Sequence, residues 1–81
     1  MSSELILFST DHCTLCDEAL ELLLSMPELA GRSVQVVDVA ADPELVDRYG
    51  EKLPVLEIHQ DGTARQLEWP FDAQRVRQAI R

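Results

Sequence analysis

A small α/β domain with a four-stranded mixed sheet flanked by three helices, in the order β-α-β-α-β-β-α, is the fold class that this 81-residue sequence predicts. Three observations lead there. The apolar run Leu5-Ile6-Leu7-Phe8 is continuous rather than alternating, which is the pattern of an interior strand covered on both faces. Apolar residues at helical spacing follow it, and a β-branched run comes next, so strand, helix and strand fall within about forty residues as a βαβ unit with parallel strands and a right-handed crossover. Further on, Asp61-Gly62 separates two strand-like segments and signals a tight turn between antiparallel strands.

Each element has its own justification. Residues 4–9 form the first strand. The first helix carries Leu15, Ala19, Leu22, Leu23 and Met26 at steps of three and four, has Asp17 and Glu18 near the positive end of its dipole, and stops before Pro27. Val34, Val36, Val37 and Val39 supply the second strand. Asp42 is placed to cap a short helix with Pro43 in its first position and Gly50 after its last residue. Residues 55–59 and 64–69 are the hairpin strands. The final helix starts at a cap, Asp72, spaces Val76 and Ile80 four apart, and gathers Arg75, Arg77 and Arg81 toward its negative end. No repeat or linker interrupts this order, and the 46% hydrophobic content suffices for one modest core, so residues 1–81 are read as a single domain.

A net charge of −8 argues against nucleic acid or an anionic membrane surface as partner, because both reward clustered Lys and Arg. The carboxylates are scattered, as on a solubilising surface, and a positively charged protein partner is permitted. The start of the chain lacks the basic region and long apolar stretch of a signal peptide, and no segment has the length of a membrane span. The expected compartment is the cytoplasm, where thiols are kept reduced.

The chemistry centres on Cys13-Thr14-Leu15-Cys16, at the junction between the first strand and the first helix. These are the only two cysteines, and a bridge between them closes too short a loop to staple the fold. A structural zinc site needs four ligands, and His12 and His59 are not spaced to complete one, so no metal site is expected within a single chain. Spacing and context favour a dithiol that cycles with its disulfide, with a metal held together with a second chain as the alternative. The helix start directs free N–H groups and positive dipole at the first sulfur and draws its thiol below the free value of about 8.5, with Asp11, Asp17 and Glu18 opposing. Cys13 should be the exposed sulfur, and Cys16, one turn on, should approach it from the buried side. His12, beside Cys13, is a candidate modulator of the thiolate.

The element order, the Cys-x-x-Cys at the end of the first strand and Pro54 just before the third strand together resemble the thioredoxin-like fold, and the minimal size resembles glutaredoxins. Across residues 7–24 the strand, the Cys-x-x-Cys-Asp-Glu and the leucine-rich helix are similar to a small bacterial glutaredoxin-like family of unassigned role. The resemblance implies that Cys13 attacks and Cys16 resolves. It also implies a cis-proline at Leu53-Pro54, beside the dithiol, with the backbone at Leu53 free to pair with an extended substrate or glutathione. Lys52, with Arg48, is then placed to meet a carboxylate. Three departures make glutathione a weak co-substrate at best: Trp69-Pro70-Phe71-Asp72 stands where glutaredoxins have Gly-Gly and acidic residues, no basic residue precedes Cys13, and Thr14-Leu15 replaces Pro-Tyr. Leu15 is a candidate apolar rim for a docking partner.

The function implied is that of a small cytosolic, monomeric thiol-disulfide oxidoreductase that reduces a protein disulfide, with glutathione or a protein such as thioredoxin reductase as electron donor. Two other classes remain open: a dimer that shares a metal or iron-sulfur cluster between the Cys-x-x-Cys thiolates of two chains, and a redox-sensing interaction module.

Overall fold

The computed structural model describes residues 4–11 and 13–80. Its elements are β1 (Glu4–Ser9), α1 (Thr14–Ser25), β2 (Val34–Asp38), α2 (Pro43–Tyr49), β3 (Val55–Gln60), β4 (Thr63–Glu68) and α3 (Ala73–Ala79). The strands form one sheet in the order β2-β1-β3-β4, with β1 parallel to β2 and antiparallel to β3, and β3 antiparallel to β4. This is the thioredoxin-like arrangement of three helices around a four-stranded mixed sheet.

The local signals act where the sequence puts them. The Asp42 carboxylate accepts the N–H of Glu44 and the Asp72 carboxylate that of Arg75, so both short helices start at side-chain caps that satisfy otherwise unpaired donors. Gly62 has φ +79 and Asp61 φ +53, which gives the hairpin turn the left-handed backbone that Asp-Gly tolerates. Four boundaries differ from expectation, two of them because the hairpin strands each run one residue further into the turn, to Gln60 and from Thr63. Val39 is not the last residue of β2 but the first of a 3-10 turn, Val39–Ala41, because the Asp38 side chain caps that turn through the N–H of Ala40. Trp69 lies just past the end of β4 rather than in it. A second 3-10 turn, Pro27–Leu29, follows α1.

Alternation along β1 and β3 sorts the core onto the two sheet faces. Leu5, Leu7, Leu56 and Ile58 pack with Ala19 and Leu23 of α1, Val76 of α3, and Phe71. On the opposite face Phe8 and Val55 pack with Val39 and Tyr49, and the Phe8 and Tyr49 rings stack with centroids 4.5 Å apart. Tyr49 is therefore a packing residue at the end of α2. Among the described residues no helix is long and apolar enough to cross a membrane.

Register fixes where function sits. Ser9 pairs with Asp38, Phe8 with Val55, and Val55 with Glu68. The ends of β1, β2 and β4 and the start of β3 thus meet at one edge of the molecule, and the segments that adjoin them carry Cys13, Val39, Pro54 and Trp69.

Candidate functional site

The site is built on the first turn of α1. Cys13 is its N-cap in extended conformation (φ −107, ψ 100), and its sulfur accepts the backbone N–H of Cys16 at 3.1 Å, the position in which Ser or Asp more often caps a helix. The Cys13 carbonyl accepts the N–H of Asp17 at 3.1 Å. Cys13 and Cys16 are joined as a disulfide, with Cα atoms 5.2 Å apart. Their surroundings differ. Cys13 is partly exposed, whereas Cys16 is 3% exposed and lies on the helix face that buries Ala19 and Leu23. Leu15, between them, is 46% exposed. His12, the candidate thiolate modulator, lies outside the described residues.

The β3 side of the site has less free surface than a proline at a strand start suggests. The Leu53-Pro54 bond is cis, as the resemblance implied, and the Pro54 side chain is fully buried. Its carbonyl accepts the N–H of Trp69 at 3.2 Å, and Leu53 is half-buried against the Phe8–Tyr49 cluster. The Trp69-Pro70 bond is also cis, which the sequence reading did not anticipate. Trp69 packs edge-on against Phe71, centroids 5.1 Å apart at 82°, and Phe71 is in the core. In this segment Trp69 and Phe71 are thus held by side-chain packing, while Pro70 is exposed.

Lys52 is exposed. With Arg48, Tyr49, Val55, Gln66 and Glu68 it lines a cavity of about 240 Å³ between α2 and the β3–β4 hairpin. The two cations that the sequence reading linked to a carboxylate thus share one recess, together with a carboxylate of the protein itself.

Beside that recess is a polar network that the sequence reading missed. The Gln66 amide donates to the Tyr49 hydroxyl and to a Glu57 carboxylate oxygen, both at 2.7 Å, and His59 Nε2 meets the other Glu57 oxygen at 2.5 Å. The signal was present in the pattern: Glu57 and His59 are two apart on one strand face, and the hairpin register sets Gln66 opposite Glu57. Burial works to raise the Glu57 pKa, but the hydrogen bonds from Gln66 and His59 and the charges of His59 and Arg48 prevail, so it lies below its ordinary value of 4.5. A carboxylate with a depressed folded-state value contributes stability that is complete above its unfolded value and is lost as pH falls through the folded value. Glu57→Gln is therefore expected to flatten the acid limb of the stability-pH profile below about 4.5, measured by urea unfolding at stepped pH. An acid limb identical to that of the unmodified protein would show that the network does not hold the carboxylate ionised.

Comparison with known proteins agrees with this geometry. Residues 4–81 match the model of a family described as a glutaredoxin-like domain. An X-ray structure of a structural-genomics target protein from X. campestris is similar over 93% of this chain and 92% of its own, with 37% identity and a TM-score of 0.74. A thioredoxin variant from Halobacterium salinarum shares the fold at 22% identity, with 98% of this chain and 72% of its own covered and a TM-score of 0.74. Protein Ne2328 from Nitrosomonas europaea superposes over 100% of this chain and 94% of its own with a TM-score of 0.80 at 16% identity. Among curated proteins none matches the chain significantly. With the family model spanning nearly its whole length, and a dithiol pair at the head of α1 in a thioredoxin-like fold, the chain belongs to the glutaredoxin-like domain family.

Proposed function

We propose that this chain is a thiol-disulfide oxidoreductase that reduces a disulfide in another protein. The observation that carries this reading is the asymmetry within one helical turn: a partly exposed Cys13 at the helix start and a Cys16 beneath it that is 3% exposed. In the dithiol form the Cys13 thiolate attacks one sulfur of the partner disulfide, forms a mixed disulfide and releases the other partner sulfur as a thiolate. The Cys16 thiolate then attacks Cys13 Sγ, reforms the Cys13–Cys16 bond and releases the second partner sulfur. Two electrons pass to the partner, whose thiolates take up protons from solvent. A dithiol reductant returns the protein to its starting form. The cytoplasm is the compartment that keeps such a pair available, and one chain carries both sulfurs, so a monomer completes the cycle.

Insulin disulfides with excess dithiothreitol test this reading. Many turnovers per chain are expected. A single stoichiometric oxidation without turnover would favour a redox-sensing module, and zinc or iron retained by paired chains after reducing purification would favour the shared-cluster dimer. Limiting alkylation of the reduced protein tests the roles and should label Cys13 ahead of Cys16; the reverse order in a mass-mapped digest would exchange them.

Glutathione is the weaker electron donor in this proposal, because Trp69 and Pro70 stand where glutaredoxins have Gly-Gly and bring bulky side chains in place of open backbone. Glutathione-driven turnover of hydroxyethyl disulfide is expected to be at least about tenfold slower than dithiothreitol-driven turnover, a difference of about 1.4 kcal/mol. Trp69→Gly combined with Pro70→Gly should narrow that gap. Fast glutathione turnover by the unmodified protein would show that the substituted segment does not obstruct the ligand.

A further inference from the structure

We infer that the partner disulfide is one flanked by Lys or Arg, docked along the α1 side of Cys13–Cys16 with Leu15 as its apolar contact; this rests on the disulfide-reducing reading above.

Charge is distributed unevenly around the site. No Lys or Arg occurs before Arg32, and Asp11, Asp17, Glu18 and Glu21 are all exposed on or just ahead of α1. Among the described residues none of the four has an ion-pair partner, the two salt bridges being His59–Glu57 and Arg77–Glu28. Folding accounts for only part of this. The helix dipole favours Asp17 in the first turn, but Asp11 precedes the helix and Glu21 lies in the second turn. Asp17 and Glu21 are also four apart on one helix, a spacing at which like charges destabilise it. A local conflict of this kind, beside a reactive group, points to a use outside the fold.

Apolar surface adjoins those charges. Leu15 is 46% exposed between the two cysteines, and the steps from Leu15 to Glu18 to Leu22 set these three along one line of the helix. A partner segment that covers Leu15 and sets cationic side chains against Asp17, Glu18 and Glu21 removes apolar area from water and relieves the repulsion present in the free protein. The recess beside α2 and β3 holds Arg48 and Lys52 together with Glu68, so that flank carries charges of both signs, whereas the α1 flank carries carboxylates alone. An acidic partner is repelled from the α1 flank.

The test uses the full chain, reduced beforehand and freed of reductant. Three oxidants are offered in single turnover: two peptides with the same disulfide loop, flanked by Lys and Arg in one and by Asp and Glu in the other, and uncharged hydroxyethyl disulfide. Oxidation of Cys13–Cys16 is read by alkylation and mass measurement. The basic peptide should react about tenfold faster than the acidic one at low salt. The ratio should collapse near 1 M salt, where the Debye length is about 3 Å. Neutralising the rim with Asp17→Asn, Glu18→Gln and Glu21→Gln should reduce the ratio to about twofold, while Asp61→Asn, the same type of charge change at the hairpin turn at the far end of the sheet, should leave it near tenfold. Equal rates for the two peptides, or a faster acidic peptide, with hydroxyethyl disulfide still reduced, would overturn the substrate class and leave the oxidoreductase reading standing. Failure to react with all three would overturn that reading itself.

Discussion

Cys13→Ser is expected to reduce protein-disulfide turnover to the uncatalysed rate and to abolish mixed-disulfide capture, while Cys16→Ser loses turnover but keeps capture. The difference follows from the two surroundings. With Ser at position 13, the one remaining thiol is at a position 3% exposed on the buried face of α1, where a protein disulfide does not reach it. With Ser at position 16, the exposed thiol still attacks, the helix-start N–H groups still favour its thiolate, and the intermediate persists because no second thiolate lies within one turn to resolve it. The measurement is the intact mass of the adduct after incubation with an oxidised protein, before and after dithiothreitol. Equal capture by both variants, or capture by Cys13→Ser alone, would reverse the assignment of roles.

Leu56→Ala is expected to cost about 2–5 kcal/mol of stability, the range for deleting a fully buried leucine side chain. Leu56 is 0% exposed at the centre of the sheet, opposite Leu7 on β1 and Leu67 on β4, in the cluster that α1 and α3 cover. At about 0.05–0.15 kcal/mol per residue, a chain of this length has roughly 4–12 kcal/mol in total, so this one change removes a large part of it. Leu24→Ala is the comparison: at 72% exposed, Leu24 should contribute within about 0.5 kcal/mol. Urea titrations of both variants decide the matter, and similar midpoints for the two would mean that the sheet face is not the core.

Much of the fold was legible in the sequence because its signals are local. The continuous run in β1, the Asp42-Pro43 and Asp72 helix starts and the Asp61-Gly62 turn each specify their own backbone, and each lies where it was read. Val39 was misplaced because its β-branched side chain favours a strand while the Asp38 carboxylate offers the next backbone N–H a competing partner. In the site, the two cysteines and the cis bond at Pro54 were legible from the motif and the resemblance. The burial of Pro54, the tie from its carbonyl to Trp69, and the link from Gln66 to Tyr49 were not, because they depend on register between segments distant in the chain. Periodicity tells which face a residue occupies, whereas only the completed sheet tells what stands opposite.

The meeting of four strand ends at one edge has a consequence for the chain during its synthesis. The dithiol emerges from the ribosome about forty residues ahead of Pro54, a lag of roughly 2–8 s at ordinary elongation rates. During that interval the inner strand β1 lacks its β3 neighbour, and Cys16 lacks the finished core that shields it. Both thiols of the nascent chain are therefore open to solvent, and the burial that sets Cys16 apart from Cys13 arises only as the C-terminal half closes the sheet.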